Sequence, residues 1–370
     1  MEYTQRMPHR PDRLPIEDFD VTPLAGLIGR ANRAIARFDG KMQGLVNPKL
    51  LLTPMQNQEA VLSSKIEGTQ ATLEDVLQHD ARFTDRNQAV ERDVQEVVNY
   101  RLALEAARKA MESQPLTLNL IRKIHGILMS GVRGGQADPG HFRRIQNWIG
   151  TPGSTMETAR FIPPAVPDMM EGLHNWELYL HEDDGDVLVQ LAMLHAQFEI
   201  LHPFIDGNGR VGRLLIPLFL FHKEVVHEPI FYMSQFLENH RAHYYDALRD
   251  ITEKGDWGQW VSFFLHGIIR QAEMNTEQAN QILALYEEMK VEISERIKSQ
   301  WSIACLDFIF SRPIFNATTF RNESGVTVAS ASRLLASLSE DNGILKCVEP
   351  GSGRRPSIYA FPALLRIINR

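Results

Sequence analysis

The chain has 370 residues, of which 44% are hydrophobic and 23% are charged, and its formal net charge is −7. This size and composition predict two or three domains with buried cores, and the negative charge argues against a protein that coats nucleic acid along its whole surface. The 2 cysteines, Cys305 and Cys347, exclude a disulfide framework and indicate a reducing compartment.

The N-terminal segment and the apolar runs give no sign of secretion or membrane insertion. Residues 1–15 are polar and rich in proline, unlike a secretory signal. The longest uninterrupted apolar run, LLIPLFLF at 214–221, is far shorter than the ~20 residues that cross a bilayer. We therefore expect a cytoplasmic protein that does not enter a membrane.

Helical periodicity dominates the first 300 residues. Two helices, 187–201 and 211–224, carry little polar surface, so both are expected to be buried. A polar helix over 274–298 is typical of a linker. The other predicted helices are amphipathic and span, in chain order, 54–68, 71–78, 92–111, 116–129, 168–180, about 241–253 and 257–272.

A segment rich in glycine and proline interrupts these helices between residues 131 and 164. It contains two strand-like pieces, near 146–150 and 158–162, with a turn between them. We expect these pieces to pair as a small β-hairpin, which makes the predicted fold mainly α with one local β feature.

The last seventy residues have a different character. Residues 301–370 contain 8 Lys and Arg against 5 Asp and Glu, whereas residues 1–300 contain 31 against 41. Three short helices, within 301–311, 316–325 and 326–345, are followed by two strand-like runs around a basic turn. This order is typical of a winged helix-turn-helix with an anionic partner.

Polar residues mark the surfaces that such a domain uses on DNA. A recognition helix would present side chains to base edges, and the wing would reach phosphates or a minor groove. Many winged helices bind proteins instead, so DNA and protein remain alternative partners. The residues concerned are Thr327, Ser330, Ser332 and Arg333 on the helix, and Arg354 and Arg355 on the wing.

The stretch HPFIDGNGRVGR at 202–213 carries the most specific chemistry. Gly207 and Gly209 precede a helix, and the N-terminus of a helix attracts anions. Glycines also allow backbone conformations in which successive N–H groups point toward a bound anion. Arg210 and Arg213 lie on one face of that helix, where its dipole disfavours cations unless an anion of several charges binds there. A polyphosphate is the obvious candidate.

The remaining polar residues of the stretch fit the same ligand. Asp206 is a poor phosphate ligand but a good ligand for Mg²⁺, which takes one or two carboxylates plus phosphate oxygens. Asn208 can donate its amide to a phosphate oxygen. His202 is the one side chain there that accepts a proton near neutral pH. A helix–loop–helix turn with incidental arginines is the structural alternative.

This stretch resembles, without departure, the signature of the Fic family, His-Pro-Phe-x-Asp/Glu-Gly-Asn-Gly/Lys-Arg-x-x-Arg. The resemblance extends over about 50–270 through GHFRRIQNWIG and RFIPPAVPDMMEGLHNWELYL. It implies a helical core with a small β-hairpin flap, and some members also carry a tail similar to a winged helix. Most members transfer AMP from ATP to a hydroxyl side chain of a protein and release pyrophosphate.

The resemblance also implies roles for individual residues. His202 would be the general base and Asp206 would hold Mg²⁺. The flap strand within 158–162 would pair with a target segment and present its Ser, Thr or Tyr hydroxyl. The nucleotide would be bound by Gly207, Asn208, Gly209, Arg210, Val211, Gly212 and Arg213, with Asn239 and Tyr244 near the adenine and ribose.

The helix predicted over 54–68 also carries a charge at the end where its dipole disfavours it. Glu67 would lie in its last turn, where the dipole disfavours an anion, and Gly68 is well placed as a left-handed cap. A solvated surface glutamate is the simplest alternative, and a Ser64–Glu67 capping box is another. Pairing of Glu67 with Arg213 would resolve both misplaced charges.

The stretch Ser63-x-x-x-Glu67-Gly68 resembles the inhibitory motif of Fic proteins that carry an inhibitory helix before their catalytic core. Other polar residues are less informative. Tyr244 and Tyr245 are as compatible with half-buried helix positions as with a nucleotide site. His195 and Glu199 have helical spacing but lack the two-histidine pattern of a zinc peptidase, so we expect them in or next to the core.

Together these patterns predict a self-inhibited protein adenylyltransferase that uses ATP and Mg²⁺ and acts on another protein or on itself. A DNA-binding regulator with a nucleotide-sensing core is the main alternative, and another phosphoryl or nucleotidyl transferase is a third. A homodimer is compatible with the sequence. The expected regions are an N-terminal helical region (1–112), a catalytic core (113–272), a linker (273–299) and a winged-helix-like domain (300–370).

Overall fold

The computed structural model describes residues 7–44, 49–82, 92–132, 138–151, 153–183, 185–340, 343–353 and 355–369. The chain folds mainly into α-helices and has one small antiparallel sheet, which confirms the predicted fold class. Within these ranges, no helix is both long and apolar enough to cross a membrane.

The described part of the chain forms helices α1 to α15 and strands β1 to β3. Helices α1 to α5 are Ala25–Gln43, Lys49–Ile66, Leu73–Arg82, Arg92–Met111 and Leu118–Leu128. Helices α6 to α10 are Val166–His181, Val187–Leu201, Asn208–His222, Ser234–Asn239 and Arg241–Lys254. Helices α11 to α15 are Trp257–Ile297, Ser302–Ser311, Ala317–Glu323, Val328–Ser339 and Pro362–Ile368. The strands are Ile314–Asn316, Lys346–Glu349 and Ile358–Ala360.

Helix bounds agree best with the sequence where a cap is clear. Helix α7 has the predicted bounds because the Asp186 carboxylate accepts from the N–H groups of Leu188 and Val189 at its start. Helix α8 begins at Asn208, three residues before the predicted start, since Gly207 caps it in a left-handed conformation with φ +81°. The predicted helices 257–272 and 274–298 are one continuous helix, α11.

Residues Met1–Gly40, Leu62–Gly68 and Asn99–Glu273 form one compact unit. Its centre is helix α7, which packs against α6 and α8 and is buried on nearly every side, as its apolar sequence predicts. Two buried indoles anchor it, since Trp176 donates to the Leu194 carbonyl at 2.8 Å and Trp260 to the Ala192 carbonyl at 2.8 Å. The middle of α7 is thereby held in place.

Residues Lys41–Val61, Thr69–Val98 and Met274–Arg370 form a second compact unit. Its sheet has the order β1-β3-β2, with all neighbours antiparallel. Phe308, Phe315 and Phe320 pack their rings together beside β1, at centroid distances of 5.0 to 5.8 Å. These rings form the apolar core that this small unit needs.

The two compact units group the chain differently from the four predicted regions. Residues 69–98 lie with the tail because α3 packs on β1, and the Asn316 amide donates to the Ala81 carbonyl. The three tail helices and the paired strands are present, whereas α15 and β1 were not predicted. The winged-helix identity remains a prediction, and Arg354 lies outside the described residues.

The predicted hairpin over 146–150 and 158–162 is reduced to one antiparallel bridge. The N–H of Ile149 donates to the Phe161 carbonyl at 2.9 Å, and the N–H of Arg160 donates to the Ile149 carbonyl at 2.7 Å. Neither piece is long enough to count as a strand. The pairing is correct, but the prediction of two strands was wrong.

Asn316 supplies a direct test of the second unit. Its side chain is buried, caps α13 by accepting from the Thr319 N–H at 2.7 Å, and donates to the Ala81 carbonyl. We expect Asn316→Ala to lower the free energy of unfolding by about 1–3 kcal/mol, because a cap and a buried hydrogen bond are lost. Asn322→Ala, at an exposed position of the same helix, is the control. Equal urea midpoints for both variants would contradict this role.

Candidate active site

The stretch 202–213 forms a loop between the buried helices α7 and α8. His202 ends α7 in a left-handed conformation, with φ 48° and ψ 58°, while its N–H still donates to the Phe198 carbonyl at 3.0 Å. Gly207 repeats the left-handed conformation before α8. These two reversals turn the loop so that the first N–H groups of α8 form an anion-attracting end.

Internal hydrogen bonds make this loop self-supporting. The Phe204 N–H donates to the Asn208 Oδ1 at 2.8 Å, and the Asn208 Nδ2 donates back to the Phe204 carbonyl at 2.8 Å. The Asp206 Oδ1 accepts from the Gly207 N–H at 2.6 Å. Asn208 therefore braces the loop with its side-chain amide, and its contact with a phosphate remains a prediction.

His125, on α5, supports the loop from below. Its ring stacks on Phe204 with centroids 3.7 Å apart and an interplanar angle of 7°. Its Nδ1 accepts from the Gly140 N–H at 2.9 Å, so its Nε2 carries the proton and donates to the Asp206 carbonyl at 3.0 Å. Burial lowers the pKa of His125 to about 4, which keeps this donor–acceptor pattern at neutral pH.

The two arginines of the motif are buried. Arg210 lies beside Met129, with its guanidinium 3.5 Å from the sulfur and 3.9 Å from the Asp206 carboxylate. The Arg213 side chain is only 1% exposed. Its Nε donates to the Ser63 hydroxyl at 3.0 Å, and one terminal nitrogen donates to the Ser63 carbonyl at 2.8 Å.

The Arg213 guanidinium also meets Glu67, with 2.6 Å between the terminal nitrogen and the carboxylate Oε1. Although burial by itself raises the pKa of Glu67, the charge of Arg213 outweighs it and lowers that pKa. Burial would likewise lower the pKa of Arg213, but the Glu67 charge raises it. The two groups therefore form a charged pair at neutral pH.

The end of α2 places Glu67 over this arginine. The Gly68 N–H donates to the Lys65 carbonyl at 2.9 Å, and Gly68 has φ +100°, as a left-handed cap requires. A Cβ added at Gly209 would lie 2.2 Å from the Glu67 Oε1. The carboxylate thus lies against the first turn of α8, in space that only a glycine leaves open.

His202 lies at the other end of the same loop and is half-buried. Burial is the main cause that lowers its pKa, to about 4, and the nearby Arg143 charge acts in the same direction. At neutral pH the imidazole is therefore uncharged, which is the state in which it accepts a proton. Its Nδ1 is buried, so Nε2 is the nitrogen left for that proton.

Two other predicted nucleotide residues lie behind the loop. Val211 is fully buried, and a Cβ added at Gly212 would lie 2.2 Å from the Glu199 Oε1. Both face the core, which leaves them no side-chain contact with an anion at the helix end. Burial raises the pKa of Glu199 to about 7, and its position next to the core agrees with the sequence expectation.

The two tyrosines on α10 lie in different surroundings, and the nucleotide contact of Tyr244 remains a prediction. Tyr244 is 1% exposed and donates its hydroxyl to the His195 Nε2 at 3.0 Å, while the His195 Nδ1 contacts the Gly212 carbonyl at 3.2 Å. Tyr244 therefore belongs to the core behind α8. Tyr245 is half-buried, and this burial raises the pKa of its hydroxyl. Asn239 is exposed at the end of α9.

Asp206 is the residue suited to a metal ion. Its side chain is 48% exposed and its carbonyl is held by His125, so the carboxylate is held in place at an open edge of the loop. Among the described residues, no group of three or more His, Cys, Asp or Glu side chains forms a metal cage. One carboxylate suffices for Mg²⁺ when phosphate oxygens supply further ligands, so the residues fit the metal expected from the sequence.

Gly207 tests how tightly the loop is built. A Cβ added there would lie 2.7 Å from the Met129 sulfur, and its φ of +81° disfavours any side chain. At Gly255, φ is +69° but nothing lies within 4 Å. We expect Gly255→Ala to cost about 1–2 kcal/mol of stability and Gly207→Ala to cost more, because Met129 must also move. Equal urea midpoints would contradict the close packing of this loop.

Comparison with known proteins agrees with this geometry. The sequence model described as "Fic/DOC family N-terminal" matches residues 25–109, and the model described as "Fic/DOC family" matches residues 115–220. A Fic family protein from Desulfovibrio desulfuricans has a similar structure, with a TM-score of 0.60 and 19% identity over 93% of this chain and 97% of that chain. Fic-1 from C. elegans gives a TM-score of 0.53 with 18% identity, over 70% and 75% of the two chains.

Curated relatives are named as adenylyltransferases. A probable protein adenylyltransferase of Aquifex aeolicus is 34% identical over 98 residues, which are 26% of this chain and 28% of that protein. Protein adenylyltransferase Fic of Culex quinquefasciatus is 28% identical over 212 residues, 53% of this chain and 38% of that protein. The chain thus spans about a third of the length of these relatives. With two matching models that together cover about half of its residues, the chain belongs to the Fic/DOC family.

Proposed function

We propose that this chain is a protein adenylyltransferase that restrains its own activity through Glu67. The observation that carries the proposal is the contact of Glu67 with Arg213 at the start of α8, 2.6 Å apart, in the loop that holds His202. The names of the relatives, protein adenylyltransferase, support the reaction class. The chain is expected to use ATP as the source of AMP.

His202 acts as the general base in this proposal. A target hydroxyl loses its proton to His202 Nε2 as its oxygen attacks the α-phosphorus of ATP. The bond from that phosphorus to the bridging oxygen of the β-phosphate breaks, and pyrophosphate leaves. The uncharged imidazole that burial maintains is ready for this step at neutral pH.

The loop itself supplies the binding energy for the triphosphate. The N–H groups at the start of α8 and the guanidinium of Arg210 offer donors and positive charge to the phosphates. Asp206 would hold a Mg²⁺ ion, which neutralises phosphate charge when it is bound. Because Asn208 and His125 already brace the loop, little reorganisation accompanies binding.

Self-inhibition follows from competition for Arg213. A γ-phosphate and the Glu67 carboxylate are both anions, and the buried guanidinium cannot satisfy both in the same place. While Glu67 occupies it, ATP settles without this contact and the α-phosphorus lacks an in-line path to the hydroxyl. Near-attack geometry is worth several kcal/mol, so a small displacement of the triphosphate is enough.

The target protein is proposed to approach along the segment that contains Phe161. The single bridge between Ile149 and Phe161 leaves the neighbouring backbone able to pair with an added strand. Ile145 and Trp148 are exposed beside it, at 65% and 43%, and offer apolar contact to such a segment. A Ser, Thr or Tyr hydroxyl, on another protein or on a second copy of this chain, would then reach His202.

DNA binding by residues 300–370 remains the second proposed function. Helices α13 and α14 pack together and are joined at Gly325, which has φ +74°, as in a helix-turn-helix. The face of α14 with Thr327, Ser332 and Arg333 is exposed, and Arg355 is exposed beyond β2. A regulator of this kind would keep its DNA affinity without transferase activity.

His202→Ala separates the two functions. We expect AMP transfer to fall by about 10²–10⁴-fold, the usual range for loss of a general base, while ATP affinity stays nearly unchanged. Transfer is measured with labelled ATP and Mg²⁺, and the added mass is identified as AMP by mass spectrometry. Turnover like that of the wild type would rule out His202 as the base. If the wild-type chain transfers no AMP and both it and His202→Ala bind DNA, the regulator is favoured.

Glu67→Gly tests self-inhibition. We expect kcat for AMP transfer to rise while the affinity for ATP changes little, because Arg213 becomes available to the γ-phosphate. Glu67→Gln is the matched variant, because it keeps the volume beside Gly209 but removes the charge. Its kcat should lie between those of the wild type and Glu67→Gly. Adding Arg213→Ala to Glu67→Gly should cancel the gain.

Initial rates of these variants with labelled ATP and Mg²⁺ decide the question. An unchanged or lower rate in Glu67→Gly would contradict self-inhibition and leave the transferase proposal standing.

A further inference from the structure

Arg143 is a buried cation that lies outside the motif and contacts only backbone in the hydrogen bonds resolved around it. It is 2% exposed. Its Nε donates to the His202 carbonyl at 3.0 Å, and its NH1 donates to the Ile145 carbonyl at 3.2 Å. Its NH2 donates to the carbonyls of Pro164 and Leu201. The planar guanidinium fork thus holds four carbonyl groups from three segments.

Two of those carbonyls belong to the end of α7. The last carbonyls of a helix have no partner within it, and they carry the negative end of the helix dipole. A cation that donates hydrogen bonds to these carbonyls and lies at the negative end of the dipole stabilises the end of the helix. Here the helix ends on His202 in a left-handed conformation, which is unfavourable for a residue with a side chain. The contact with its carbonyl holds that conformation.

The backbone of Arg143 adds a further contact to the same turn. Its N–H donates to the Pro203 carbonyl at 2.8 Å, so the carbonyls of three consecutive residues, Leu201, His202 and Pro203, all face Arg143. The direction of the His202 side chain follows from the backbone angles that these contacts maintain.

The other two carbonyls flank the segment proposed to receive the target. Ile145 precedes the bridge between Ile149 and Phe161, and Pro164 follows it. The Asn147 amide adds a bond of 3.1 Å to the Phe204 carbonyl. Arg143 therefore ties both ends of the target-binding segment to the backbone of the residue that would take the proton.

We infer that Arg143 is a positioning residue that sets the geometry between the target hydroxyl and the His202 imidazole. The inference rests on the proposed transferase function for its kinetic consequence. It does not need that function for its structural consequence, which is the left-handed backbone of His202. The side-chain hydrogen bonds of Arg143 go to backbone carbonyls, so its loss should affect the turnover of bound substrates more than their binding.

Lysine cannot replace this arginine in full. An ammonium group keeps the charge but donates from one point, whereas the guanidinium donates from a fixed plane to carbonyls that lie apart. In a Glu67→Gly background, Arg143→Gln should lower kcat about 100-fold, the order of effect known for ~1 Å misplacements. Arg143→Lys should recover part of this loss, and ATP affinity should stay within about 2-fold in both.

Arg144→Gln is the matched control, because Arg144 is the adjacent arginine but is exposed. Its kcat should equal that of the background. Circular dichroism and thermal unfolding report whether each variant folds. A second readout, independent of activity, uses ¹⁵N,¹³C-histidine-labelled protein: the His202 signal, assigned by its loss in His202→Ala, reports backbone conformation through its Cα shift.

The results separate this inference from the proposed function. A shifted His202 signal together with lower kcat at constant ATP affinity supports the inference. A kcat equal to that of the Glu67→Gly background and an unshifted His202 signal in folded Arg143→Gln would overturn it and leave the transferase proposal intact. If the background protein transfers no AMP at all, the proposed function fails, and the His202 signal alone then decides the role of Arg143. Loss of fold in both Arg143 variants would show a general stabilising role and would also overturn the inference.

Discussion

The structure depends on one buried cation, the guanidinium of Arg213, which must always have an anionic partner. Its side chain is 1% exposed at the start of a helix, where neither solvent nor the dipole stabilises its charge. Removing one member of such a pair is costly because the other stays buried without compensation. In the structure the Glu67 carboxylate meets this need, and under the proposed function an arriving phosphate would compete with it.

The rest of the loop 202–213 is held in one conformation by contacts within the protein. His202 and Gly207 are both left-handed, and the hydrogen bonds of Asn208 close the turn between them. His125 supports the loop from α5, and Arg143 holds its first residues. A preorganised site of this kind does not need to rearrange when charge develops. Glu67 differs from these residues because it lies at a helix end and is 35% exposed in its side chain.

The location of Glu67 has a consequence for control. It follows the last turn of α2, and its carboxylate lies where Gly209 has no side chain. The neighbouring Lys65 makes a partly exposed ion pair with Glu238 at 3.5 Å, a kind of pair that contributes little stability. In the proposed function, withdrawal of the Glu67 carboxylate would release Arg213 without a change in the loop.

Local patterns in the sequence predict much of this arrangement. Periodicity predicts the bounds of α4 and α7, and the glycine positions predict the loop before α8. The contact of Glu67 with Arg213 follows from two charges that lie at the helix ends where the dipole disfavours them. His125 and Arg143 escape such reasoning because their partners are backbone carbonyls brought close only by folding. Tyr244 and Tyr245 are adjacent on α10, and only packing decides which one faces the core. Residues 69–98 join the tail through contacts that no local pattern records.

The most direct measurement is a pair of crystal structures with ATP and Mg²⁺, one of the wild-type chain and one of the chain with Glu67→Gly. The account predicts that the Arg213 guanidinium stays on Glu67 and Ser63 in the first, and that it contacts the γ-phosphate in the second. The α-phosphorus should then face the Nε2 of His202 only in the second structure. An identical triphosphate position in both structures, with Arg213 still on Ser63, would contradict the account.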